Sequence, residues 1–342
     1  MTSEGTTLQF PSPCLIYLGD VQEEDNCKTG FGMADWAPER CLGQMRRNST
    51  TVSVGLNDMT IDQAIAAGAK SMVIGIAGVG GKIAPQWRED LLAGAAAGLT
   101  LVSGGHEKLD QVPGLADTAA RAGGQLVEVR DPALRFAVAT GSKRSGRRLL
   151  TVGTDCALGK KYTALSIASE MQKRGIPADF RATGQTGIMI AGGGIPIDSI
   201  VSDFVAGAAE ALSPDAEPNH WDVIEGQGSL LHPGYAAVTL GLLHGSQPDE
   251  IVLCHDPRRT HNLDSPQVEI PSLPEVIALY LSLGKLTNAN IRCSAISLNT
   301  KGMSAEAREQ AIAQTRAETG LIVFDPVTTG TDELIDQLAP KC

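Results

Sequence analysis

Residues 148–171 read RLLTVGTDCALGKKYTALSIASEM, in which an apolar strand runs into Gly153, five residues follow, and Gly159-Lys160 opens an amphipathic helix. The glycines let the loop curl so that amide N–H groups point inward, the helix N-terminus adds positive partial charge, and Lys160 supplies a point charge. We read the segment as a phosphate cradle made by Gly153, Thr154, Cys156, Gly159, Lys160, Lys161, Tyr162 and Thr163. The alternative is a tight strand-to-helix turn without a ligand. A magnesium-binding P-loop has four residues between its glycines and a Ser or Thr after the lysine. Here the spacer is five and the next residue is Lys161, which speaks against metal-assisted ATP chemistry, although Thr163 offers a hydroxyl. Tandem lysines suit a phosphate-rich ligand held without metal, such as coenzyme A, and no metal is expected.

Around this unit, short β-rich apolar runs alternate with helix-like segments, the pattern of parallel sheets covered by helices. The fold class is α/β. In the first half, strands are expected at Cys14–Leu18, Thr51–Val54, Met72–Ile76, Thr100–Val102 and Leu126–Val129, with helices near Ile61–Ala67, Trp87–Ala97 and Leu115–Ala122. After the polar stretch TGSKRSGRR (140–148), strands are expected at Leu149–Val152, Ala178–Arg181, Asp222–Ile224, Ile251–Leu253 and Ala295–Leu298, with a helix over Lys160–Lys173. That stretch is the best linker candidate. It divides the chain into a Rossmann-like domain, 1–143, and a P-loop domain, 144–342.

Other chemistry-bearing residues cluster where strands should end. Glu225, in DVIEGQGS, takes a strand-terminal carboxylate position; without a metal to hold, such a group is free to act as a base, and Asp155 is a second candidate. His232 and Tyr235 follow the same turn, and His232 is a candidate proton carrier. Arg258 and Arg259 in CHDPRRTHN form a natural fork for carboxylate or phosphate. GGGIPID (192–198) offers glycine-rich backbone before an expected helix. Lys28 and His106 are polar residues at strand ends in the first half, candidate donors to a substrate site. Cys156 in the cradle is either a nucleophile or a small loop-filling residue. The segments IGIAGVGGKIAP (74–85) and SGGHEKL lack the dinucleotide fingerprint GxGxxG and its spaced acid.

Charge and composition remove several function classes. With 28 Lys and Arg against 39 Asp and Glu, the formal charge of −11 repels nucleic acid and anionic membrane surfaces, and 4% aromatics leave few rings for base stacking. The seven cysteines are scattered and never spaced as CxxC, so reduced thiols are expected rather than disulfides or zinc. No window of 18 apolar residues is present, and no basic leader precedes the short apolar run at Cys14. A cytoplasmic protein with no nucleic-acid or membrane partner is the expectation, and a homo-oligomer is compatible with the sequence.

The stretch GTDCALGK resembles the GTDxxxGK loop of dethiobiotin synthetase, which has the same five-residue spacer; DFRATGQTG and DVIEGQGS resemble that ligase's second strand with its turn and its Glu-Gly strand end. Arg181 then stands where a phosphate-facing lysine would. Together with GD…KTGFGM, IGIAGVGGKIAP…WRE, SGGHEKL and CHDPRR, these segments are similar over nearly the whole chain to a former domain-of-unknown-function family with a Rossmann-like N-terminal domain and a dethiobiotin-synthetase-like P-loop C-terminal domain. Within it, the chain most resembles members that transfer acetyl from acetyl-CoA to the amine of D-glutamate in D-amino-acid catabolism. The resemblance implies an acyltransferase in which residues 153–163 hold the coenzyme A phosphates, Arg258 or Arg259 grips the glutamate carboxylates, and Glu225 or Asp155 deprotonates the ammonium. The competing readings are an ATP–magnesium kinase or carboxylate–amine ligase like dethiobiotin synthetase, and a nucleotide-binding regulator without turnover.

Overall fold

The computed structural model describes residues 10–49, 51–77, 82–130 and 135–339. These fall into two compact units, one of residues 10–130 and 185–196, the other of 135–184 and 197–339. Each is an α/β unit built on a parallel sheet, as the alternating pattern requires.

The first unit contains β1 (Cys14–Gly19), α1 (Lys28–Trp36), β2 (Cys41–Arg46), α2 (Ile61–Ala66), β3 (Ser71–Ile74), α3 (Arg88–Ala96), β4 (Thr100–Ser103), α4 (Leu115–Ala122) and β5 (Leu126–Glu128). Its sheet runs β2-β1-β3-β4-β5, every neighbouring pair parallel. The apolar runs of β1, β3 and β4 are buried throughout, as expected of strands covered on both faces. The strand expected at Thr51–Val54 does not form. Cys41–Arg46 pairs with β1 instead, and the following segment runs alongside it, held by both backbone and side-chain hydrogen bonds. Val54 N–H donates to Gln44 Oε1 at 2.8 Å, and Arg46 Nε donates to Asp58 at 2.7 Å. Helix α1 also lay hidden in the sequence, because Gly30 and Gly32 weaken its helical signal.

The second unit opens on β6 (Arg147–Gly153), α5 (Lys160–Lys173) and β7 (Ala178–Arg181). The chain then contributes α6 (Gln185–Ala191) to the first unit. It continues with α7 (Val205–Leu212), β8 (Trp221–Ile224), α8 (Ala236–Ser246) and β9 (Glu250–His255), then the antiparallel pair β10 (His261–Asn262) and β11 (Ser265–Glu269). α9 (Leu273–Gly284), β12 (Arg292–Leu298), α10 (Ala305–Thr319), β13 (Ile322–Phe324) and α11 (Asp332–Leu338) complete it. The parallel sheet runs β13-β12-β9-β6-β8-β7. Its direction of growth reverses at β6, and in open α/β sheets ligands bind outside the carboxyl ends of the strands at such a switch point. Leu149, Ala164, Ile167, Ala168, Met171 and Val252 pack α5 onto this sheet.

The stretch 140–148 lies within the second unit rather than running free between two. Thr140 N–H and Gly141 N–H donate to Glu210, Lys143 Nζ reaches Asp249 at 2.8 Å, and Arg144 donates to the Ser213 and Gly245 carbonyls. The fully buried Arg148 donates to Ser213 Oγ and to the carbonyls of Arg144, Ser145 and Pro214. Those acceptors satisfy an otherwise costly guanidinium. The helix expected after GGGIPID is a single turn, Ile197–Ser199. Residues 78–81 of IGIAGVGGKIAP lie outside the described residues. No helix among the described residues is long and apolar enough to cross a membrane.

Candidate functional site

The phosphate loop leaves β6 at Gly153 and enters α5 through Gly159, whose φ of +98° favours glycine. Its shape is fixed from below. The Gly153 carbonyl accepts from Ser229 Oγ at 2.9 Å and Tyr280 Oη at 2.8 Å, while Thr154 N–H donates to the Cys254 carbonyl and Thr154 Oγ1 pairs with His255 Nδ1 at 2.9 Å. Lys160 is buried, and its Nζ donates to the Asp155 carbonyl at 2.8 Å. Burial holds its pKa below the usual lysine range.

Asp155 is fully buried and fully engaged. Its carboxylate accepts from Cys156 N–H at 2.6 Å, Arg259 Nη1 at 3.0 Å and Leu263 N–H at 2.8 Å, contacts that help hold the loop in shape. Arg259 also donates to the Cys156 carbonyl at 2.8 Å. Arg258 clamps Asp256 through Nε at 2.9 Å and Nη2 at 2.8 Å. Each member of the expected fork thus already carries a protein carboxylate. Arg181 is likewise engaged with Asp222 at 2.7 Å and Asp179 at 3.1 Å.

Glu225 sits at the end of β8, next to β6, in the position the sequence suggested. The backbone packs closely enough there that a methyl group on Gly226 would lie 1.7 Å from the Thr151 carbonyl oxygen and 3.1 Å from Lys160 Cδ. This contact sets Glu225 beside the loop. Its Oε2 accepts from Thr183 N–H at 2.9 Å and Gly184 N–H at 3.0 Å. Burial raises its pKa above the usual carboxylate range, opposed by those two N–H groups and by the charge of Lys161. Burial thus favours the protonated form of this carboxyl.

The residues do not fit the magnesium of a nucleotide-binding P-loop. Lys161 stands where the metal-binding hydroxyl would be, its Nζ 4.7 Å from the centre of the Tyr162 ring. Thr163 is buried, with its hydroxyl bonded to Ser297 Oγ at 2.8 Å and to the Gly159 carbonyl at 3.2 Å. Among the described residues, two groups bring three ligand-type atoms within 4.8 Å: Asp155, Cys156 and His232, and Asp179, His220 and Asp222. Glu225 belongs to neither.

Cys156 Sγ therefore lies near His232, a proximity that sequence separation concealed. Burial nevertheless raises the thiol's pKa, which does not favour a thiolate nucleophile. Lys28 heads α1, paired with Asp25 at 3.9 Å, and His106 contacts Arg130 Nη1 at 2.7 Å; both belong to the first unit. Sequence reasoning missed Tyr280 and Ser229 as supports of the loop. A tyrosine in the otherwise apolar run ALYLSL of α9 was the available signal, since a buried hydroxyl requires a partner.

Comparison with known proteins extends this picture. The family model described as "Domain of unknown function (DUF1611_C) P-loop domain" matches residues 136–335, and "Domain of unknown function (DUF1611_N) Rossmann-like domain" matches residues 41–132. The chain is 43% identical over 328 residues to a D-glutamate N-acetyltransferase of Tritonibacter scottomollicae, covering 96% of this chain and 98% of the relative. It is 42% identical over 331 residues to a D-glutamate N-acetyltransferase of a Pseudoalteromonas species, covering 97% and 100%. A crystal structure of a DUF1611 family protein from Anabaena variabilis superposes with a TM-score of 0.88 at 36% identity, covering 97% of this chain and 100% of that one.

Proposed function

The chain belongs to the DUF1611 family, and from that premise we propose that it is an N-acetyltransferase that moves acetyl from acetyl-CoA to the amine of D-glutamate. The observation that carries this reading is the nearly full-length likeness to two relatives of that name. The site supports it through a phosphate loop whose metal-binding hydroxyl is replaced by Lys161 and whose neighbouring carboxylate, Glu225, is buried beside it. A role in D-amino-acid catabolism, in the cytoplasm, follows from the same reading.

Acetyl-CoA supplies the acetyl group already activated as a thioester. The loop's inward backbone N–H groups, the N-terminus of α5, Lys160 and Lys161 hold the donor's phosphates. Glu225 accepts a proton from the substrate ammonium, leaving a neutral amine to attack the thioester carbonyl; a carbon–nitrogen bond forms, the carbon–sulfur bond breaks, and the second amine proton passes to the departing sulfur, which leaves as the thiol of coenzyme A. The fixed N–H groups of Thr183 and Gly184 limit how far the Glu225 carboxylate can turn. Asp155 serves a different purpose, holding the loop through Arg259.

The test is coenzyme A release by the purified protein from acetyl-CoA with D-glutamate, L-glutamate or no acceptor, with product masses recorded and a parallel ATP–magnesium arm. An N-acetylated product formed chiefly from D-glutamate without ATP supports the proposal. ADP formation in the parallel arm with no release from acetyl-CoA would favour the ligase reading instead.

A further inference from the structure

His232 lies in the loop between β8 and α8, 5% exposed, its ring stacked on Tyr235 at 4.5 Å. Gly234 N–H donates to His232 Nδ1 at 3.1 Å. In the neutral ring the proton therefore resides on Nε2, and that N–H is buried with no hydrogen-bond partner. A ring nitrogen of His232, the Asp155 carboxylate and Cys156 Sγ lie within 4.8 Å of one another, which brings the imidazole that carries the orphaned donor to the phosphate loop.

Three features specify what it awaits. The lone pair on Nδ1 is committed to Gly234, so what the neutral ring has left to offer is a donor, whereas its sequence position suggested a proton carrier. The Asp155 carboxylate already accepts from Cys156 N–H, Leu263 N–H and Arg259, and no hydrogen bond joins it to the imidazole. A buried donor left unpaired is costly, and the missing partner is an acceptor delivered where Lys160 and the start of α5 already favour negative charge.

We infer that His232 is a phosphate-binding residue whose Nε2–H completes the loop's anion cradle. This rests on the reading of the loop as the donor's phosphate site. The ligand chemistry is a phosphate oxygen, supplied by coenzyme A or by a nucleotide.

The test titrates the full-length protein with coenzyme A, ADP, inorganic pyrophosphate and phosphate-free acetyl-pantetheine, comparing wild type with His232→Leu and His232→Gln. The leucine variant should lose about tenfold in affinity for coenzyme A and pyrophosphate and nothing for acetyl-pantetheine. Glutamine, which restores an N–H donor, should recover most of the loss. Unchanged pyrophosphate and coenzyme A affinity in His232→Leu would overturn the inference. So would saturable zinc binding by wild type that the variant lacks. Weakened ADP binding together with no acetyl transfer by wild type would support the role of His232 while removing the acetyl-donor reading.

Discussion

One nitrogen of Arg259 bonds both the buried carboxylate of Asp155, at 3.0 Å, and the carbonyl of the next residue, Cys156, at 2.8 Å. The segment after β9 thereby grips the phosphate loop at two adjacent points. The loop holds its shape through the protein's own contacts, and the Asp155 carboxylate, which would repel a phosphate, is paired with a fixed guanidinium. Ligand binding then spends little free energy on ordering the loop.

Arg259→Gln leaves Asp155 buried without its counter-charge. Breaking a buried pair from one side costs about 3–5 kcal/mol, and a loss of that size is expected in chemical denaturation. Adding Asp155→Asn should return part of it, because the stranded charge disappears.

Glu225→Gln keeps the shape of the side chain and its bonds from Thr183 and Gly184 but cannot accept a proton. General-base catalysis contributes about 10²–10⁴-fold, so kcat should fall at least a hundredfold while acetyl-CoA affinity stays within about twofold. Undiminished kcat would remove Glu225 from the mechanism.

Lys161→Ser restores the hydroxyl that a magnesium-binding loop carries and deletes a cation. Acetyl-CoA affinity should fall about tenfold, a typical loss for one charge-assisted contact. The variant, unlike wild type, should gain nucleotide affinity when magnesium is added. Calorimetry with and without the metal reads both effects.

His255 is pushed down to about 4 by burial, from an ordinary value of 6.5, and its Nδ1 meets Thr154 of the loop. Between these values the unfolded chain takes up a proton that the folded chain refuses, so stability falls as pH drops through that window. The loss reaches about 3 kcal/mol near pH 4. Denaturation midpoints across this range should show the slope, and His255→Gln should flatten it.

How much of this was legible in the sequence differs by element. The unit around Gly153 and Lys160 was readable because strand, glycine loop and amphipathic helix are local patterns; α5 and β7 have the expected bounds, Lys160–Lys173 and Ala178–Arg181. Strand β2 was missed because Thr51–Val54 carries the stronger β propensity, while tertiary pairing with β1 selected Cys41–Arg46. At the site, the strand-end position of Glu225 was visible from its motif. The partners of Arg181, Arg258 and Arg259 were not, because a guanidinium reads equally as a ligand fork or as a structural clamp until its acceptors are known. Tyr280 and Gly153 lie 127 positions apart, beyond the reach of any local pattern.

The most direct test of the central claim, acetyl transfer at a phosphate loop that works without magnesium, is N-acetyl-D-glutamate formation from acetyl-CoA by protein treated with excess EDTA. The product is expected at an unchanged rate without ATP. Activity abolished by the chelator and restored by magnesium would contradict it.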